Sequence, residues 1–449
     1  MTTIAMESKT ESGPSVQGMK TFLVIWVGQL ISILGSGLTS FALGVWIFSQ
    51  TGKATPFALT ILFGNLPRIL LLPVAGSLAD RWNRRWVMIL SDTGNALVTI
   101  SVFVLLLFGN LQFWHIYLIV TLGSIFSAFQ EPAYSASVTM LVPKKDLSRA
   151  NGMIQMGQAL EMVVTPIIAG VLFVAIGLSG ILVIDFVTFL FAVGALLLVR
   201  IPQPERTEHA DNKSSILADA LFGWNYLKAR PGLFGLLWYF AMVNFLLNWA
   251  GVLTGPMLLS RFPASTLGTV QMVVGLGMLA GGILSSVWAG PKRKITAVIG
   301  YIGFALVGMI VAGLRPSPFF VGAGLFWLMI FVPLASASSQ AVFQAKVAPH
   351  LQGRVFSIRS MISRSVMPIS FLLAGPLADR VFGPLLDTNG AWAHTFLGSL
   401  LDTGAGRGIG LMFIISALCG IIVTLMAYAN PRIRNIEDEL PDVLPTATD

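Results

Sequence analysis

Twelve times along the chain, an apolar run long enough to cross a hydrocarbon core as a helix, about 20 residues, stands between charged or turn-forming breaks. The runs lie near 21–48, 55–79, 86–108, 113–142, 152–176, 180–199, 232–259, 266–289, 295–313, 317–345, 355–378 and 408–429. Lipid offers no partner for backbone N–H and C=O groups, so each run is expected to be a helix that satisfies its own. Only 11% of the residues are charged, against roughly 25% in soluble domains. The expected fold class is therefore an all-α membrane protein. Residues 1–20 are polar and lack the short apolar core and small-residue cleavage site of a secretory leader, so the first run is expected to remain in the mature protein.

The excess of basic residues is an orientation signal rather than a sign of nucleic-acid binding. Twenty-one of the 28 Lys and Arg residues fall at the N-terminus and in every second loop, five fall on the other side, and two, Arg68 and Arg364, lie inside runs. The positive-inside rule then puts both termini in the cytoplasm of a bacterial inner membrane. The single cysteine, Cys419, excludes an intramolecular disulfide.

The longest polar stretch divides the chain into an N-terminal six-helix bundle (1–200), a linker (201–231) and a C-terminal six-helix bundle with a tail (232–449). In the linker, Ser215 can cap an amphipathic helix whose apolar side holds Ile216, Leu217, Ala220, Leu221, Trp224 and Leu227. Two pseudo-symmetric bundles of this kind rock around a central site in many carriers.

At the end of the second run stands Gly76-Ser77-Leu78-Ala79-Asp80-Arg81-Trp82-Asn83-Arg84-Arg85. It closely resembles the loop signature of the major facilitator superfamily, Gly-x-Leu-Ala-Asp-Arg-x-Gly-Arg-Arg/Lys, with Asn83 in place of the usual glycine; Asn tolerates a left-handed backbone, so the turn can survive. Gly76 lets a neighbouring helix approach, and Asp80 can face the positive N-terminus of a helix in the other half. The resemblance implies a cytoplasmic latch of Gly76, Asp80, Arg81, Arg84 and Arg85 against the start of the eleventh run near Arg354. Gly375-Pro376-Leu377-Ala378-Asp379-Arg380 repeats the pattern, but it ends an outward-running span; it is expected only to end a helix, leaving the latch to the N-terminal half. Thr165-Pro166-Ile167-Ile168-Ala169-Gly170 resembles the Gly-Pro-x-x-Gly-Gly element of superfamily antiporters and is expected to bend the fifth span and bring it close to a facing helix.

Glu131-Pro132-Ala133, Leu147-Ser148-Arg149-Ala150-Asn151-Gly152, Asp185 and Gly404-Ala405-Gly406-Arg407-Gly408 together resemble the bacterial branch that includes macrolide efflux proteins and the enterobactin exporter. The resemblance implies secondary export of a drug-like or natural-product molecule by alternating access, with H+ the expected coupling ion. The fourth span has Ser127 where drug/proton antiporters of the superfamily often carry a buried arginine.

Ionisable residues inside spans are costly and mark function by default. Arg68, Glu131 and Glu161 share one depth in the N-terminal half: Arg68 can neutralise one carboxylate, and the other is free to carry a proton. Arg364 is the corresponding charge in the C-terminal half. Asp92 and Asp185, nearer span ends, are expected to be solvated or helix-capping. Trp26, Gln29, Asn244, Phe245, Asn248, Trp249, Gln340 and Gln344 are expected to line an aromatic, amide-rich and weakly charged cavity. There is no Gly-x-x-x-x-Gly-Lys-Ser/Thr loop, and the four histidines lie apart, so neither ATP, a metal nor any cofactor is expected, and the chain reads as a monomeric carrier rather than an enzyme. A lysophospholipid or other lipid carrier is the alternative substrate class, favoured by an apolar, laterally open cavity.

Overall fold

The computed structural model describes residues 18–199, 216–288 and 290–443. Among these, all regular structure is helical. The long helices are α1 (Met19–Thr51), α2 (Ala54–Arg81), α3 (Arg84–Leu107), α4 (Phe113–Leu141) and α5 (Leu147–Leu198); after a short α6 (Ile216–Lys228) come α7 (Pro231–Leu259), α8 (Ala264–Val287), α9 (Lys294–Leu314), α10 (Pro318–Lys346) and α11 (Pro349–Leu377). Two short helices, α12 (Gly383–Leu385) and α13 (Phe396–Leu401), precede α14 (Arg407–Ala429), and α15 (Pro431–Arg434) and α16 (Ile436–Glu439) form a tail.

Eleven of these helices are long and apolar enough to span a bilayer. One of them counts twice, because α5 has 52 residues and is broken at Gly177, whose φ of 67° lies in the left-handed region that favours glycine. Its two arms fold back on each other along α1. Gly157 of the first arm faces Leu30, and Ala195 of the second faces Gly28, at one level of α1; Thr165 faces Gly37 and Thr188 faces Gly35 one to two turns further on. The twelve expected spans are thus twelve helical segments, with the fifth and sixth joined.

Alternation of the spans puts both described ends of the chain on one face. Gly18 N–H donates to the Leu141 carbonyl at 3.1 Å and Val443 N–H to the Ala345 carbonyl at 2.9 Å, each at the end of a span that returns to that face. We call it the termini face and its opposite the far face.

Small residues set the close contacts within the bundles and between them. A Cβ on Gly281 would come within 2.3 Å of the Ile330 carbonyl, so α8 and α10 meet backbone to backbone. Between the halves, a Cβ on Gly268 of α8 would lie 2.2 Å from the Pro166 carbonyl of α5, and one on Gly170 would lie 2.7 Å from the Ala264 carbonyl. Phe57 of α2 fills the space beside Gly255 of α7. These contacts between the halves lie toward the far face.

The linker helix α6 docks on α11: Gly223 abuts the Arg354 carbonyl, and Leu227 is buried. Ser215, its expected cap, lies outside the described residues. On the termini face the tail closes the base of the C-terminal half. Glu437 accepts from the Lys294 and Ile295 amides at 2.9 and 3.0 Å, capping α9, and Arg293 pairs with Asp438 at 3.2 Å. The nearly buried Lys346 donates to the Glu437 carbonyl at 2.8 Å and pairs with Asp442 at 2.8 Å.

On the far face, Arg261 pairs with Asp402 at 3.2 Å and donates to the Thr403 and Ala405 carbonyls at 2.6 and 2.8 Å, pinning the loop before α14. A hydrogen bond from the Thr403 backbone, helped by Arg261, holds the Asp402 carboxyl below the usual carboxylate range. Arg407 is buried and donates to the Gly313 and Leu314 carbonyls at 2.9 and 3.1 Å, so it caps the C-terminus of α9.

Candidate substrate and coupling site

Each half encloses a chamber. In the N-terminal half it has a volume of about 770 Å³, with walls drawn from α1 to α5, which is the size of a pocket for a drug-sized molecule. Arg68 of α2 reaches Glu131 of α4 in an ion pair, and both side chains are about half exposed, at 47% and 49%, to the chamber. Glu161 of α5 lines the same chamber beside Gly37 of α1. Among the described residues no hydrogen bond or ion pair holds its carboxyl.

Asp92 and Asp185 depart from the sequence expectation. Both are buried, at 3% and 5% exposure, and both are held by neutral donors from other helices. Gln29 donates to Asp92 at 3.0 Å; Gln130 donates to Gln29 at 2.9 Å and also reaches Asp92. Asp185 accepts from Thr39 and Thr99, both at 2.9 Å, and from Ser36 at 3.2 Å. Their distance from a span end counted along the chain says little, because α1 and α4 bring donors to Asp92, and α1 and α3 bring donors to Asp185. A helical-spaced polar stripe, Ser91, Asp92, Asn95 and Thr99, is the signal that marks α3 as facing the interior.

The chamber of the C-terminal half, about 500 Å³, is lined by Asn244, Gln340, Arg359 and Arg364 among apolar residues of α7, α9, α10 and α11. Arg359 is the residue the sequence reading missed, having placed it in a loop. Pro349 starts α11 early enough to carry Arg359 inside, where it donates to Gln340 at 2.8 Å and Ser339 at 3.0 Å and stacks 4.4 Å from the Phe343 ring.

The expected amide-rich wall is divided between the chambers and incomplete. Trp26 and Gln29 line the N-terminal one, Asn244 and Gln340 the C-terminal one. Phe245, Asn248, Trp249 and Gln344 are on neither wall: Phe245 and Trp249 pack on each other at 5.4 Å, and the Asn248 amide bonds back to the Asn244 carbonyl. With four carboxylates and one arginine on one wall and two arginines on the other, the site is strongly rather than weakly charged.

The signature loop is only partly described. The side chains of Gly76, Asp80 and Arg81 lie outside the described residues. Asn83 has φ of −66°, not a left-handed value, and its side chain caps α3 by accepting from the Arg85 and Trp86 amides. Arg84 donates to the Ala136 carbonyl at 2.9 Å, and Arg85 to the Leu196 and Leu197 carbonyls at 2.8 and 2.9 Å, so both bind within the N-terminal half. Arg354 stacks over Phe222 of the linker helix.

At the expected kink, α5 continues through Pro166, and its one non-helical residue is Gly177. Thr165 is buried against Gly37, while Pro166 and Gly170 meet α8 of the other half. The second copy of the signature does more than end a helix. Asp379 accepts from the Ala54 and Thr55 amides at 2.9 and 2.8 Å and from the Thr55 hydroxyl at 2.6 Å, at the start of α2 in the opposite half.

Helices that pack through glycine and part around two polar chambers, inside a protein whose remaining surface suits lipid, are the architecture of a multi-pass membrane transporter. The chain belongs to the Major Facilitator Superfamily, which it matches over residues 25–371. It is 28% identical to Macrolide efflux protein A of Streptococcus pyogenes over 365 residues, 80% of this chain and 90% of that one. It is 24% identical to Multidrug efflux pump Tap of Mycolicibacterium fortuitum over 383 residues, 83% and 91% of the two chains. A bacterial homologue of the human lysosomal transporter Spinster, in an inward-facing and unoccupied conformation, superposes with a TM-score of 0.64 over 95% of this chain and 98% of that one; at 17% identity the likeness is one of fold.

Proposed function

We propose that the chain exports a drug-like or natural-product molecule in exchange for protons, by alternating access between its two halves. The observation that carries this reading is the division of labour among the N-terminal charges. Arg68 is taken by Glu131, which leaves Glu161 on the chamber wall as a carboxyl able to take and release a proton. Arg359 and Arg364 oppose it across the molecule. A site acidic on one wall and cationic on the other suits an amphipathic molecule with a basic group. The relatives named for macrolide and multidrug efflux support the same class. A lipid carrier would need a predominantly apolar chamber, which four carboxylates oppose. The protein on this reading is a monomeric carrier without enzymatic activity, divided near residues 200–231, with Asp80 latching the halves on the termini face.

The test is a panel of macrolides, siderophores and other amphipathic amines against a host stripped of its own efflux pumps. Expression should lower accumulation of at least one compound, and a protonophore should abolish the effect; export that survives the protonophore would end the proton reading.

The termini face is cytoplasmic on this reading. Reporter fusions after Arg85, at Lys213 and at the C-terminus should therefore report cytoplasm, and one at Asn389 the outside. One inverted reporter would reject the orientation.

A further inference from the structure

We infer that Asp379, with Gly375 and Thr55, is a latch that holds the far face of the transporter shut. The inference rests on the alternating-access reading above and adds a positioning site on the face opposite the signature loop.

The first turn of α2 has amides with no partner of their own and a positive dipole end, and no acidic residue of its own stands there. Asp379 supplies the missing acceptor from the other half of the molecule, more than 300 residues away in sequence, with three hydrogen bonds of 2.6 to 2.9 Å. One turn earlier on α11, a Cβ on Gly375 would stand 2.5 Å from Thr55 Cα, so α11 reaches α2 only because that position has no side chain. Gly375 and Asp379 have the spacing of Gly76 and Asp80: a glycine for approach, then one turn on a carboxylate for a helix N-terminus. Directly at Asp379 the helix widens into a π-turn, Ala378–Phe382. Such turns are rare and costly to keep, and they often mark functional positions. An Asp that served only to end its own helix would have its donors at the end of α11 rather than at the start of α2.

Opening the far face requires α2 and α11 to part there. The three bonds then break together, and both the carboxylate and the helix end return to water. The latch therefore favours the form closed on the far face, and its loss shifts the population the other way.

The test uses the full chain in lipid nanodiscs with Cys419→Ser, spin-labelled at Asn110→Cys and Arg315→Cys. These two exposed positions lie on the far face, one in each half. Pulsed electron-electron resonance then reads the distance between them. Asp379→Ala and Gly375→Val should each raise the far-face-open population roughly 5- to 30-fold, the range spanned by loss of a strong helix cap. Asp379→Asn, which keeps an acceptor, should raise it less. Should the larger changes prevent folding, Thr55→Val removes the hydroxyl bond alone and should shift the population in the same direction. A wild-type distance that responds to substrate or pH, with no shift in these variants, overturns the latch and leaves alternating access standing. A distance fixed under every condition and in every variant overturns both.

Discussion

Glu161→Gln protein should bind substrate normally yet fail to concentrate it in inverted membrane vesicles. A one-unit pH gradient supports roughly tenfold accumulation per proton exchanged, about 1.4 kcal/mol, and the variant should lose all of it. Among the described residues, Glu161 is the chamber carboxylate that no hydrogen bond or ion pair holds, since Glu131 takes Arg68 and neutral donors take Asp92 and Asp185. It also sits one turn before Thr165 and Pro166, the segment of α5 that packs on α8 of the other half. Its protonation state is thus placed where the halves meet. Glu131→Gln should behave differently from what a buried ion pair would give. Because its pair with Arg68 is half exposed, losing it should cost at most about 1 kcal/mol of stability, with accumulation retained. Full accumulation by the Glu161→Gln protein would remove Glu161 from the coupling site.

Gly324→Val should abolish recovery of folded protein, or lower its melting temperature by many degrees where any is recovered. A Cβ on Gly324 would meet the Gly308 carbonyl at 2.4 Å, and one on Gly308 would meet the Gly324 carbonyl at 2.3 Å, so α9 and α10 approach through reciprocal glycine contacts. Lipid provides no hydrophobic drive between helices, so such close backbone contact supplies much of the association. Overpacking of a fixed contact costs about 1–3 kcal/mol where neighbours can yield, and backbone on both sides cannot. Gly282→Ala is the control, since a Cβ there meets nothing within 4 Å. Equal melting temperatures for the two variants would reject this account of the α9–α10 contact.

The span count and their alternation were legible in the sequence because bilayer thickness fixes the length of every segment. The sequence also put Arg68, Glu131 and Glu161 at a similar depth, with Glu161 about one turn off the middle of its run, and all three line one chamber. What the sequence could not show is which residues of different helices share a level. Asp185 looks like a span-end residue until Ser36, Thr39 and Thr99 are brought to it by α1 and α3. Asn244 and Asn248 look alike on paper, yet only the first lines a chamber, and the second bonds to its own helix. Arg359 escaped because a basic residue ten positions after Pro349 reads as part of a loop, whereas the proline begins the helix. Asp379 had a legible motif and an illegible partner, for nothing local to Gly375-Pro376-Leu377-Ala378-Asp379 points to Thr55.

The tail that closes the base of the C-terminal half also sets an order on biosynthesis. Glu437, Asp438 and Asp442 leave the ribosome after α14, yet they cap α9, pair with Arg293 and neutralise Lys346 at the end of α10. While chains are being made, N-terminal segments insert and pack first, so α9 and α10 must wait in the membrane with an uncapped helix end and an unpaired ammonium. The C-terminal half therefore closes its base only once the tail has emerged, and a nascent chain that has not yet exposed residue 437 holds α9 and α10 in place with that base still open.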